Sequence, residues 1–147
     1  MKKINLCNYK WYVLEEQDGK ALLFAKDIIT QKAYHETYEP ITWGKCTLRR
    51  WLKYEFYPGL EKCHANILDT ETEPGIIDNI FLLSIEEYKK YDIPPVETWW
   101  WLRTRGGLFR DHAFALSILN HGRPYDRVVP VNNASGGVRP AMWVDTK

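Results

Sequence analysis

Three consecutive indoles, Trp99-Trp100-Trp101, followed by Leu102 and Arg103, constrain the fold of this 147-residue chain more than any other segment. Successive side chains of a strand point to opposite faces, so an extended run here sends Trp99 and Trp101 one way and Trp100 the other. Each indole brings a large apolar area and an N–H that needs a partner. The chain must therefore supply a core around Trp100. The opposite face, with Trp99, Trp101 and Arg103, becomes a candidate ligand platform, since Trp and Arg dominate binding hot spots. Seven tryptophans in so short a chain mean either a core of large rings or a site lined with them.

The sequence around that segment is cationic. Residues 99–147 carry six arginines and one lysine against three aspartates, whereas residues 1–98 carry 13 basic and 16 acidic side chains. The formal net charge of +1 argues against a dedicated nucleic-acid binder, which would be strongly basic throughout. Arg103, Arg105, Arg110, Arg123 and Arg127 share one glycine- and turn-rich stretch with His112, His121 and Tyr125. Guanidinium groups recognise carboxylates and phosphates bidentately, and loops on a rigid scaffold collect binding residues. With Trp99 and Trp101 these residues form the expected ligand-binding set. The expected ligand is an anionic, nucleotide-like small molecule, its ring stacked on an aromatic and its phosphates clamped by arginine. The expected role is a non-catalytic binding module.

Two other function classes use the same stretch. A protein-recognition domain would present it as a broad, flat face. A small hydrolase or transferase would use Asp111 and His112 as an acid–base pair, a weaker pattern because such pairs arise often by chance. Arg139, set between Val138 and Pro140, reads as a structural arginine that satisfies buried carbonyls, since an unpaired buried charge is costly.

Cys7, Cys46 and Cys63 form an odd set without CxxC spacing, which reads as reduced thiols in a cytoplasmic protein. His35, His64, His112 and His121 lack zinc-site spacing, so no metal and no cofactor are expected. Lys2-Lys3 is not followed by an apolar segment of the secretory type, and no apolar run approaches the ~20 residues of a membrane span.

Locally, Trp11 to Leu14 and Ala21 to Phe24 read as a hairpin around Asp18-Gly19. Thr47 reads as the cap of a helix with Leu48, Trp51, Leu52 and Phe56 on one stripe, ended by Pro58-Gly59. Leu60, Cys63 and Ile67 suggest a further helical turn, and Asp69 to Gly75 a surface loop. Ile80 to Leu83 reads as a buried strand, and Ser84 with Glu87 as a capping box opening a helix over Ile85 to Tyr91. Thr98 to Arg103, His112 to Leu119, Arg127 to Val131 and Val138 to Val144 are strand candidates, with Phe114, Leu116 and Ile118 expected on one face. No repeat or linker interrupts residues 1–147, which read as a single domain.

Five blocks in order carry a resemblance. They are Trp11-Tyr12-Val13-Leu14 with Ala21-Leu22-Leu23; Thr42-Trp43 leading to Leu48-Arg49-Arg50-Trp51-Leu52; Phe81-Leu82-Leu83-Ser84 with Glu87; Trp100-Trp101-Leu102-Arg103; and Gly137-Val138-Arg139-Pro140-Ala141. Together they resemble an uncharacterised bacterial and phage domain family, over nearly the whole chain. In a phage setting such a module would sequester a host signalling nucleotide. The last two blocks are more loosely similar to the C-type-lectin-like fold of formylglycine-generating enzymes and phage receptor-binding proteins. That similarity implies an α+β fold: a twisted antiparallel sheet where the terminal strands meet, two short helices and a loop-rich C-terminal half. It does not extend to chemistry. No cysteine follows Cys63, and Glu39-Pro40-Ile41 and Trp143-Val144-Asp145 depart from the calcium-holding segments of sugar-binding lectins.

Overall fold

Two tight turns organise the N-terminal strands. Cys7-Asn8, at φ 49° and 69°, joins β1 (Lys3–Leu6) to β2 (Tyr9–Gln17), and Asp18-Gly19, at φ 49° and 78°, joins β2 to β3 (Lys20–Ala25). Positive φ at both central residues gives the twist that matches the flanking strands of a two-residue hairpin. The computed structural model describes residues 1–106, 114–118 and 124–147, less the side chains of residues 124–127.

After the two-residue strand β4 (Thr30–Gln31), the chain enters the helical segment. Helix α1 (Thr47–Trp51) is capped by Cys46, whose Sγ accepts the Arg49 N–H at 3.4 Å, rather than by Thr47. Thr47 is occupied elsewhere: its N–H is donated to His35 Nδ1 at 3.2 Å, and its hydroxyl oxygen accepts the Glu36 N–H at 3.0 Å. The apolar stripe holds, but Pro58-Gly59 does not end it. The chain continues as a π-turn over Leu52–Phe56 and 3₁₀ turns over Tyr57–Cys63. Pro58 stands in the first turn of that stretch, where a missing N–H costs nothing.

The segment read as a surface loop is a hairpin, β5 (Thr70–Glu73) and β6 (Ile76–Asp78), turned at Pro74-Gly75 with Gly75 at φ 76°. Ile80 to Leu83 is buried as expected but forms only a single bridge, Phe81 to Ala141. Helix α2 (Ile85–Lys90) opens with the full capping box of Ser84 and Glu87.

The C-terminal half contributes β7 (Trp100–Arg105), β8 (Phe114–Ile118), β9 (Pro124–Pro130), β10 (Gly137–Val138) and β11 (Ala141–Asp145). Besides the β5–β6 pair there are two larger sheets: one is antiparallel, in the order β1-β2-β3-β11, and the other runs β4-β10-β7-β8-β9, with β10 parallel to β7. The fold is α+β. The strand expected from Val138 to Val144 is split by Arg139-Pro140, and its halves serve different sheets.

Arg139 joins the two sheets. It is wholly buried, its Nε donating to the Ala25 carbonyl at 3.1 Å and its Nη2 to Lys26 at 2.9 Å. Its guanidinium lies 4.5 Å from the Phe24 ring centre and 4.8 Å from that of Trp100, so two π faces compensate part of its lost hydration. Burial lowers its pKa to about 10. Trp100 is buried against Phe24 and Tyr88.

On β8 Ile118 is buried, but so are the small residues Ala115 and Ser117, while Phe114 and Leu116 are only half-buried. The reason lies across the ladder: Ser117 stands opposite Trp101, and a small side chain there leaves room for the indole. The reading of three reduced thiols is also corrected. Cys7 and Cys63 are joined by a disulfide across 56 residues, and Cys46 alone is free and buried.

Candidate functional site

Two buried arginine networks shape an open cleft. Asp78, at the end of β6, accepts from Arg49 Nε at 2.6 Å, Trp43 Nε1 at 2.9 Å and Thr72 Oγ1 at 2.7 Å. Arg49 also donates to the Gly44 carbonyl at 2.8 Å, which fixes the 3₁₀ turn Trp43–Lys45 against the β5–β6 hairpin. Gly44 lies against the tip of the Ile76 side chain, which closes this side of the turn.

Arg103, on β7, forms the second network. Its guanidinium donates to Glu73 at 3.0 Å, Glu87 at 2.6 Å, the Leu82 carbonyl at 2.8 Å and the Thr72 carbonyl at 2.8 Å. Thr104 Oγ1 accepts the Ile85 N–H at 3.0 Å, tying β7 to the start of α2. Between these walls lies a cleft of about 660 Å³, within the range of small-molecule sites. Its lining includes Lys45, Glu73, Glu86, Thr104 and Arg105, with Trp43 and Ile76 as the apolar part. Among the described residues, neither Lys45 nor Arg105 makes an ion pair or a side-chain hydrogen bond. Arg105 is half-buried and Lys45 exposed. Among the described residues, the cleft thus presents two unpaired cations beside two carboxylates, on walls held by arginine–carboxylate pairs.

The expected site residues separate into three groups. Arg105 lines the cleft directly. Trp101 and Arg103 are turned inward: Trp101 is wholly buried and donates its indole N–H to the Lys32 carbonyl at 2.8 Å, and only 6% of Arg103 is exposed. Arg103 borders the cleft with its hydrogen-bonding capacity committed to the protein. Trp99 is half-buried and meets Trp101 edge-to-face, with centroids 4.9 Å apart, so this pair is packed as an interior corner. Arg110, Asp111, His112, His121 and Arg123 lie outside the described residues, and Tyr125 and Arg127 fall on β9 with side chains outside the described ones.

Lys45, Glu73, Glu86 and Thr104 were not legible as site residues. The one local signal was Trp43-Gly44-Lys45, a glycine flanked by a large ring and a charge just before a helix. Among the described residues, no three metal-ligand side chains gather into a metal site, and no helix is long and apolar enough to cross a membrane.

No curated protein and no solved structure matches the chain. A family model described as a domain of unknown function, DUF6273, matches residues 18–97, more than half of the sequence. The matched span holds the Trp43–Lys45 turn, the β5–β6 hairpin and all of α2, and ends before β7. The chain belongs to the DUF6273 family of domains of unknown function.

Proposed function

We propose that the protein is a binding module that takes a small anionic ligand in the cleft between the Trp43–Lys45 turn, the β5–β6 hairpin, α2 and β7. The observation that carries this reading is the contrast between its cations. Arg103 is committed to Glu73 and Glu87, while Lys45 and Arg105 have no ion-pair partner among the described residues and so have donors to offer a guest. A guanidinium grips a phosphate or carboxylate through paired donors, and a neighbouring ammonium adds charge. Glu73 and Glu86 on the same rim favour ligands that also carry donors, such as the amino and hydroxyl groups of a nucleotide.

The wider fold belongs to the same reading, as a variant of the C-type-lectin-like arrangement. What supports it is that the first and last strands share one sheet, with β11 paired to β3. The test of function is thermal shift with inorganic phosphate and nucleoside mono- and diphosphates. A ligand that prefers the folded state raises Tm, and the gain is expected to vanish in the Lys45→Ala/Arg105→Ala double variant. Equal shifts in both proteins would discard the cleft as the site.

A second reading, protein recognition, draws support from Tyr38 and Val128. They are 53% and 39% exposed, and Tyr38 lies edge-on to Phe114. It expects capture of a macromolecule with no response to small anions.

A further inference from the structure

The Cys7–Cys63 bond is more than two thiols that happen to meet. Cys7 occupies a turn position at φ 49°, in the left-handed region that favours glycine, asparagine and aspartate. Its neighbour in the turn, Asn8 at φ 69°, is the residue type such a turn selects; Cys7 is not. A cysteine there is strained relative to glycine, and turn formation alone does not repay that strain. What the side chain supplies is its sulfur, joined to Cys63 on the 3₁₀ stretch.

The third sulfur is committed elsewhere, since Cys46 is wholly buried and caps α1. The odd count thus resolves into one cystine and one capping thiol. The cystine closes a loop spanning 56 residues and fastens the edge hairpin β1–β2 to the helical segment. In the chain-entropy picture a loop of that length is strongly stabilising, and such bonds persist in oxidising compartments and are rare in the cytosol.

We propose that Cys7–Cys63 is a resident structural cystine, and that the protein matures and meets its ligand in an oxidising compartment. This replaces the cytoplasmic setting that the cysteine count alone suggests, and it is independent of what the cleft binds. In the maturation step each thiol loses one hydrogen and the Sγ–Sγ bond forms. The two electrons and two protons pass to a disulfide-donating oxidant, which leaves as a dithiol.

The test compares the full chain recovered from a bacterial cytosol with the same chain exported to the periplasm, both acid-quenched, unfolded and alkylated with iodoacetamide before intact-mass measurement. The exported chain is expected to take one adduct, at Cys46, and the cytosolic chain three. The cytosolic chain should melt lower by on the order of 10 °C and regain the exported Tm on oxidation. A Cys7→Ser/Cys63→Ser variant, exported, should match the reduced chain and stay there on oxidation. Three adducts on the exported chain, one on the cytosolic chain, or equal melting of both forms would overturn the proposal.

Discussion

One carboxylate oxygen of Glu87 serves two structures at once: it accepts the Ser84 N–H at 2.8 Å, closing the α2 capping box, and the Arg103 Nη1 at 2.6 Å. The helix start and the central strand β7 are therefore one electrostatic unit. Arg103→Ala leaves Glu73 and Glu87 without their cation and the Leu82 and Thr72 carbonyls without their donor. The expected loss is about 2–3 kcal/mol, because two buried carbonyls lose their donor while Glu73 and Glu87 stay partly solvated. Urea unfolding measures it as a lower midpoint with the same slope. A loss below about 1 kcal/mol would mean the pair is solvated.

Asp78 carries the other wall. Its side chain is 3% exposed and holds Arg49, Trp43 and Thr72 together. Asp78→Ala is expected to destabilise by about 3–5 kcal/mol. It should also abolish the ligand-induced Tm gain even where the variant remains folded, because the Trp43–Lys45 turn loses its anchor. Retained binding in a folded Asp78→Ala protein would separate the wall from the site.

How much of this was legible in the sequence depends on the range of the interaction. The Asp18-Gly19 hairpin and the Ser84–Glu87 capping box are written in adjacent residues and formed where expected. Trp100 and Arg139 could be assigned to the interior because burial of large rings and pairing of a buried charge are general requirements. The commitment of Arg103 was hidden, since its partner Glu73 lies 30 residues away in a stretch whose polar composition masks a hairpin. The burial of Ser117 on β8 was not legible because it depends on the bulk of Trp101 across the ladder, which no alternation pattern within Phe114–Ile118 records. The Cys7–Cys63 pairing was equally invisible, as an odd count of three names no partner.

Gly136 tests the packing of the Trp99–Trp101 corner. A side-chain carbon at Gly136 would overlap the Trp101 indole, displacing its N–H from the Lys32 carbonyl. Gly136→Ala is expected to cost about 1–3 kcal/mol through overpacking, with a change in tryptophan fluorescence. An unperturbed variant would show that the indole has room to move.

Cys46 gives the protein an alkaline signature. Burial pushes its thiol from 9.0 up to about 12. A group whose folded pKa is raised contributes stability fully below its unfolded pKa and loses that contribution as pH rises through the folded one. The relevant window is therefore pH 9 to about 12. Across it, Tm is expected to fall more steeply in the native protein than in Cys46→Ala, and at pH 9 the folded protein should resist iodoacetamide at this residue. Rapid modification at pH 9 without unfolding would contradict the burial of the thiol.

The central claim is that Lys45 and Arg105 receive an anion in the cleft. An amide chemical-shift titration with a nucleoside diphosphate tests it most directly. Saturable shifts are expected to concentrate at Thr42 to Lys45, Glu73 to Ile76, Ser84 to Glu86 and Thr104 to Arg105, and to disappear in the Lys45→Ala/Arg105→Ala protein. Saturable shifts centred elsewhere, for instance around Trp51 and Tyr54, or none at millimolar ligand, would contradict it.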